Sequence, residues 1–299
     1  MTTSGDRNPM LLRSTCLGCH TGTNSSGGTK PFVFSTTEPN YGGASNNSLA
    51  GGNFYWVVNG NGTKDPDRLG HNVIYLHATD GVYDFSDSDL ATPPGYSGGS
   101  WTASTLTCAG PQGCHGLRDP LIADETDDLA GAHHAADTPP LDGSTVAKSY
   151  RFLKGIKGVE DDDWEYDTTP DYNIYQGADR ASSTIDSTTI SSLCAKCHGN
   201  FHNGAGNIEG DFFETPWLRH PTDYDFSGLS TVSYGTYTAT VPIAYVDSTT
   251  TPSKKIVMCL SCHRAHGSPN EGLLRWDYRA WPLDGGVING CAVCHTTKD

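Results

Sequence analysis

The chain is short of what a self-sufficient globular core is made from. Of its 299 residues 35% are hydrophobic, whereas 35 are glycine and 17 are proline. Serine, threonine, asparagine and aspartate fill much of the rest, a composition of turns and loops rather than of layered helices or sheets. No apolar run approaches the roughly 20 residues that a helix needs to cross a bilayer. The opening stretch, MTTSGDRNPMLLRSTC, lacks the apolar centre of a signal peptide. Cationic residues are scarce as well: 19 Lys and Arg face 34 Asp and Glu, a formal charge of −15. Such a surface disfavours nucleic-acid phosphates and anionic membranes as partners. Methionine occurs only at Met1, Met10 and Met258, and no peptide repeat of fixed period marks a solenoid.

Cysteine, by contrast, is present in strict order. All ten cysteines fall in pairs, and a histidine follows each pair at once. Four pairs read C-x-x-C-H: Cys16, Cys19 and His20; Cys194, Cys197 and His198; Cys259, Cys262 and His263; Cys291, Cys294 and His295. In the remaining one, CAGPQGCH, Cys108 and Cys114 enclose five residues and His115 follows. C-x-x-C-H is the attachment pattern of c-type haem. Two thiols add to the two vinyl groups of one porphyrin, and a tight turn brings both to the same edge. The next side chain then lies beneath the ring, where an imidazole reaches the iron. Histidine fills only 12 of 299 positions, so its recurrence after every second cysteine is not chance.

Zinc and disulfides also use paired cysteines. Structural zinc sites combine such pairs with separately spaced histidines, and a ligand directly after the second cysteine suits a tetrahedron poorly. Disulfides of an exported protein have no use for the trailing histidine. The stretched loop stays open to two readings: Gly110-Pro111 and Gly113 equally suit a small disulfide loop, while His115 stands where the other proximal ligands stand.

The expected fold is mostly irregular coil with short helices and a few short β-strands, wrapped as one domain (1–299) around a stack of covalently bound haem c groups, five in number. Porphyrins supply the apolar mass that the chain lacks. Helix signals lead into the motifs at 11–20 and 190–198, with another at 145–155. Phe54-Tyr55-Trp56-Val57-Val58 reads as a strand, and 231–246 reads as a strand paired with Lys255–Met258. The acidic run Glu160-Asp161-Asp162-Asp163, then Glu165, reads as solvated surface. Because c-type haem is attached outside the cytoplasm, the chain reads as the mature form of an exported protein whose signal peptide is gone.

A haem iron with two histidines is saturated and shuttles electrons, a methionine ligand raises the potential, and an open sixth position permits chemistry on a small molecule. Met1 is terminal, and Met258 abuts Cys259, where that haem blocks it. Histidine must therefore supply the sixth ligands, and seven remain beyond the proximal five: His71, His77, His133, His134, His202, His220 and His266. His71 (LGHNV) and His220 (LRHPTD) are isolated on polar, turn-rich segments and read as distal ligands. The neighbours His133 and His134 diverge and suit two adjacent haems. His202, four residues after His198, and His266, three after His263, each suit a stacked neighbour. His77 lies in an apolar stretch and reads as a core histidine. Phe201, Trp217, Trp276 and Tyr278 read as packing on porphyrin faces or edges.

The stretches LTCAGPQGCHG, AGAHHAAD, SYRFLKGIKGVEDDDWE, CAKCHGNFHN, WLRHPTD, CLSCHRAHGSP and GCAVCHTTK resemble the extracellular multihaem cytochromes of metal-reducing prokaryotes. They look closest to the outer-surface cytochromes that polymerise into "cytochrome nanowires". The resemblance runs from about residue 11 to the end. It implies bis-histidine haems stacked along a filament axis, with one axial histidine donated by a neighbouring subunit. Two departures stand out: CLGCHTGTNS carries no histidine after the first motif for such a donation, and a four-haem relative would leave one motif here empty. The expected function is extracellular electron transfer without catalysis, the partners being the chain itself, other redox proteins or extracellular metal and mineral acceptors. Nucleic acid is not among them, and no transmembrane segment is expected. The expected location is extracellular or cell-surface, the periplasm being the alternative. Rival readings are a monomeric soluble electron shuttle and a nitrite- or hydroxylamine-type oxidoreductase; every motif ends in histidine and distal histidines are in surplus, which disfavours the second.

Overall fold

The structure, a computed structural model, describes residues 16–41, 46–63, 68–73, 93–96, 106–122, 125–130, 132, 141–166, 172–179, 185–202, 220–246, 254–278 and 290–295. Its helices are single turns: α1 (Cys16–His20), α2 (Tyr55–Asn59), α3 (Glu125–Asp128), α4 (Ile190–Cys194), α5 (Cys259–Cys262) and α6 (Cys291–Cys294). The strands are two or three residues long: β1 (Gly158–Val159), β2 (Ile174–Gln176), β3 (Tyr224–Asp225), β4 (Ala244–Tyr245) and β5 (Lys255–Val257). Turns and irregular chain make up the rest, as the composition implies. Four of these helices carry a haem-motif cysteine at an end, so regular structure gathers where the motifs need it.

The strands form one sheet in the order β1-β2-β4-β5-β3, with β2 and β4 parallel and the other pairs antiparallel. Tyr175 pairs with Ala244, and Ala244 with Ile256. Strand side chains alternate between faces, so this row points one way, into a cluster with Leu141, Tyr150, Leu153, Ile156, Met258, Ile190 and Leu193 of α4, and Leu260 of α5. The other face carries Ile174, Tyr245 and Val257 into a cluster with Phe226, Tyr234, Val241, Ile243, Trp276, Val293 and Cys294. A separate cluster joins Leu17 of α1 to Phe54, Val57 and Val73, with Cys108 and Leu106 against it. Each small core thus seats particular motifs: the first and the stretched one in the separate cluster, the third and fourth on one sheet face, the last on the other.

Several local expectations change. Residues 54–58 form helix α2, because Phe54, Val57 and Val58 follow the i, i+3, i+4 spacing and pack together on one side. Of 231–246 only β4 is strand, and it pairs with β5 at the tip of the expected hairpin. Residues 145–155 hold a 3-10 turn, Tyr150–Phe152, rather than a helix. The acidic run is not all solvated: Asp161 is 8% exposed and Glu165 only 3%. Tyr237 donates its hydroxyl hydrogen to Glu165 Oε1, and Asn173 Nδ2 donates to Oε2 at 3.2 Å. Tyr172 stacks on Tyr237 with ring centres 3.8 Å apart. Burial, only partly offset by the Tyr237 hydrogen bond and by Arg275, raises the Glu165 carboxyl above its ordinary value.

Ile256 is fully buried at the centre of the sheet. Ile256→Ala should lower holoprotein stability by about 3 kcal/mol, read from denaturant unfolding. An acid with a raised folded pKa stabilises most while protonated, below its unfolded value of about 4.3, and loses that contribution as pH rises through the folded value. Glu165→Gln should therefore gain in thermal midpoint over the wild type as pH rises from about 4.3 towards neutrality.

Candidate haem sites

A shared backbone hydrogen bond closes the motifs. The histidine N–H donates to the carbonyl of the first cysteine in His198 to Cys194 (2.9 Å), His263 to Cys259 (3.0 Å) and His295 to Cys291 (2.9 Å). The stretched motif makes the same bond, His115 to Cys108, at 3.0 Å. Its extra residues loop outward, and Gly113 lies so close that a side chain there would start 2.5 Å from the Ala109 carbonyl carbon. Asp128, fully buried, accepts from the N–H groups of Gly110 (2.9 Å), Arg118 (2.9 Å) and Asp119 (3.1 Å) and pins the loop from behind. Among the described residues no two cysteines are joined by a disulfide, Cys108 and Cys114 included.

The imidazoles are oriented in a common way. Nδ1 lies against a backbone carbonyl in His20 (Pro31, 2.8 Å), His115 (Arg151, 2.8 Å), His198 (Pro94, 2.6 Å) and His263 (Gly272, 2.7 Å). The same holds for His71 (Ala265, 2.6 Å) and His220 (Pro221, 2.9 Å). A carbonyl only accepts, so Nδ1 carries the proton and Nε2 keeps its lone pair, the arrangement of a metal-ligating histidine. Burial lowers the pKa of His71, His115, His198 and His263, which favours the neutral, ligating form. Burial, and after it the nearness of His115 and His71, push His266 down to about 3.

Two pairs of rings stand apart at one separation: His71 and His198 at 6.2 Å between centres, and His220 and His295 at 6.2 Å. Metal–nitrogen bonds of about 2 Å on either side, with about 1.2 Å from each nitrogen to its ring centre, would set two such imidazoles roughly 6.4 Å apart. The residues present therefore fit haem iron, one proximal and one distal histidine in each pair. His71 is held by a knot of three segments: His71 N–H donates to His266 O (3.3 Å), His266 N–H to Gly51 O (2.7 Å) and Ser268 N–H to Leu69 O (2.8 Å). Gly70 is required there, because a side chain would start 2.2 Å from Val57 Cγ2 and 2.5 Å from His266 O.

Neighbouring motifs also lie near one another in sequence order. His20 influences the charge of His115, Cys197 that of Cys114, and Cys291 and Cys294 that of Cys262. Cys194 and Cys259 share a side-chain hydrogen bond. Burial first, and then these neighbours, push Cys262 up to about 12 and Cys294 up to about 11.

The doubled CXXCH motif family model matches residues 252–299, which contain the last two motifs. With the five Cys–Cys–His motifs, that match supports covalently bound c-type haem. The chain is similar to the C-type cytochrome OmcS of Geobacter sulfurreducens, 27% identical over 323 residues, covering 90% of this chain and 72% of that one. Two solved structures resemble it in outline. An outer membrane cytochrome S filament from the same organism has a TM-score of 0.43 and 19% identity, over 89% of this chain and 74% of the other. The OmcS nanowire structure has a TM-score of 0.42 and 21% identity, over 87% and 74%.

Among the distal candidates, His71 and His220 each face a proximal histidine, and His266 lies near His115 and His71. His77, His133, His134 and Trp217 lie outside the described residues. His202 departs from the expected role: its Nε2 sits 2.9 Å from Asp223 Oδ2, and the residue is 3% exposed. Phe201 stacks on His198 at 6.1 Å and Trp276 packs beside Cys294, whereas Tyr278 is exposed. The carbonyl acceptors and Asp128 went unread in the sequence. Backbone acceptors leave no residue-type signal, and Asp128 hides in the acidic stretch ETDD.

Asp128→Ala strands one buried and two part-buried N–H donors, so the holoprotein should lose about 3 kcal/mol. Intact mass should then show a fraction lacking one haem, the one at Cys108 and Cys114.

Proposed function

We propose that the chain is an exported five-haem electron conduit whose irons are all bis-histidine, and that it is not an enzyme. The observation that carries this reading is the 6.2 Å separation of His71 from His198 and of His220 from His295. Bound c-type haem supplies a reversible one-electron iron couple, and a close row of such groups passes electrons by tunnelling. The chain's own residues attach, orient and space that row. Cys16/Cys19, Cys108/Cys114, Cys194/Cys197, Cys259/Cys262 and Cys291/Cys294 anchor it; His20, His115, His198, His263 and His295 are the proximal ligands. His71 and His220 serve the haems of His198 and His295, His266 serves that of His115, and His133 and His134 are the remaining donors. The shared backbone closure supports a haem, not a disulfide, at Cys108 and Cys114.

The finer part of the proposal is self-assembly into an extracellular filament that delivers electrons to other redox proteins or to metal and mineral acceptors. It rests on the likeness to OmcS and on the motif flanks. The intact holoprotein mass should exceed the polypeptide mass by five haems, and by four in Cys108→Ser/Cys114→Ser; four in the wild type would assign that site to a disulfide. The reduced wild type should show no spectral change with CO, and a rapid adduct at one haem would favour an enzyme. Electron microscopy should show filaments, whereas uniform single particles would indicate a monomeric shuttle.

A further inference from the structure

His202 breaks the pattern of the other described histidines. The rings of His20, His71, His115, His198, His220, His263 and His295 are half-open or exposed, as groups lining the space for a cofactor must be before it is counted. His202 alone among the distal candidates described is packed away, 3% exposed. Its nitrogens are also reversed. Six other rings turn Nδ1 to a backbone carbonyl, whereas His202 commits Nε2 to Asp223 Oδ2 at 2.9 Å. The nitrogen left over, Nδ1, is buried inside the protein, away from the open space that the other rings line.

Asp223 is fully buried, and its surroundings show what the pair does. Thr189 Oγ1 lies 2.8 Å from Asp223 Oδ2 and caps α4 by accepting from Ser192 N–H at 3.2 Å. The Asp223 N–H donates to Val257 O at the end of β5, at 2.8 Å, just before α5. Asp223 therefore ties the start of the helix that ends in Cys194, through its carboxylate, to the strand that feeds Cys259, through its backbone N–H. Both thiols feel its charge, and the neighbouring Thr222 hydroxyl reaches Cys259.

We propose that His202 is not an iron ligand but, with Asp223 and Thr189, forms a buried anchor that fixes the third haem motif against the fourth and sets a carboxylate beside both. A buried carboxylate favours the more positive, ferric state, so it holds the potential of the adjacent haem down. His202→Gln tests the first half, with His71→Ala as the control. Oxidised His202→Gln holoprotein should keep every haem low-spin by EPR and, once reduced, bind no CO, whereas His71→Ala should open one haem. One high-spin, CO-binding haem in His202→Gln overturns the proposal. Such a haem already in the wild type would instead overturn the bis-histidine reading on which this inference rests. If His202→Gln yields no holoprotein, a cryo-EM map of the wild type decides: His202 Nε2 within hydrogen-bond reach of Asp223 supports the anchor, and either ring nitrogen bonded to iron overturns it. Asp223→Asn should raise one or two midpoint potentials in a spectroelectrochemical titration at unchanged haem count; unshifted potentials overturn the second half.

Discussion

An imidazole offers iron a lone pair on one nitrogen only when the proton sits on the other, and in this chain a backbone carbonyl keeps it there. The acceptors lie far from the rings they hold: Pro31 for His20, Arg151 for His115, Pro94 for His198 and Ala265 for His71. Each such bond fixes the tautomer and ring direction of a ligand and at the same time pins a loop. In a chain with so little regular structure, these bonds do for the loops what a ladder does for a sheet. The outer hydrogen bonds of the ligands and the tertiary folding of the chain are thus largely the same set of interactions.

Apolar packing follows that arrangement rather than leading it. Three small clusters replace one large core, and each has a haem motif among or against its members. The sheet exists to separate two of them: the row Tyr175, Ala244 and Ile256 supports α4 and α5, while Tyr245 and Val257 support the side of Cys294. Two or three residues per strand suffice, because the sheet needs only one row on each face. Met258 is buried in the first of these clusters, which gives it a packing role.

The motifs and their histidines were legible because covalent attachment fixes residue type and spacing together. His71 and His220 were legible by subtraction, since methionine is nearly absent. Local structure was less so. Phe54–Val58 fits a strand and a helical turn equally in five residues, and only its packing with Leu17 and Val73 decides. The acidic run misled because charge alone does not show that Asn173 and Tyr237 wait across the fold for Glu165. The Asp223 contact of His202 was hidden for a related reason: the residue's place four after a proximal ligand reads as that of a donor, while Asp223 is 21 residues away.

On the proposed five-haem reading, the stretched motif separates the part of the haem pattern that is chemically required from the part that is not. Cys108 and Cys114 violate the two-residue interior, yet His115 N–H still reaches the Cys108 carbonyl, as it does in the regular motifs. The constraint therefore falls on the ends of the loop: two sulfurs on one side and an imidazole returned to the first cysteine. The interior is free to lengthen provided something closes the longer loop, a cost in chain entropy that grows only slowly with length. Here Gly113 permits the close approach to Ala109, and Asp128 ties the N–H of Gly110 within the detour to those of Arg118 and Asp119 just after the motif. A two-residue interior needs no such help. That difference explains why the irregular motif comes with a fully buried aspartate behind it.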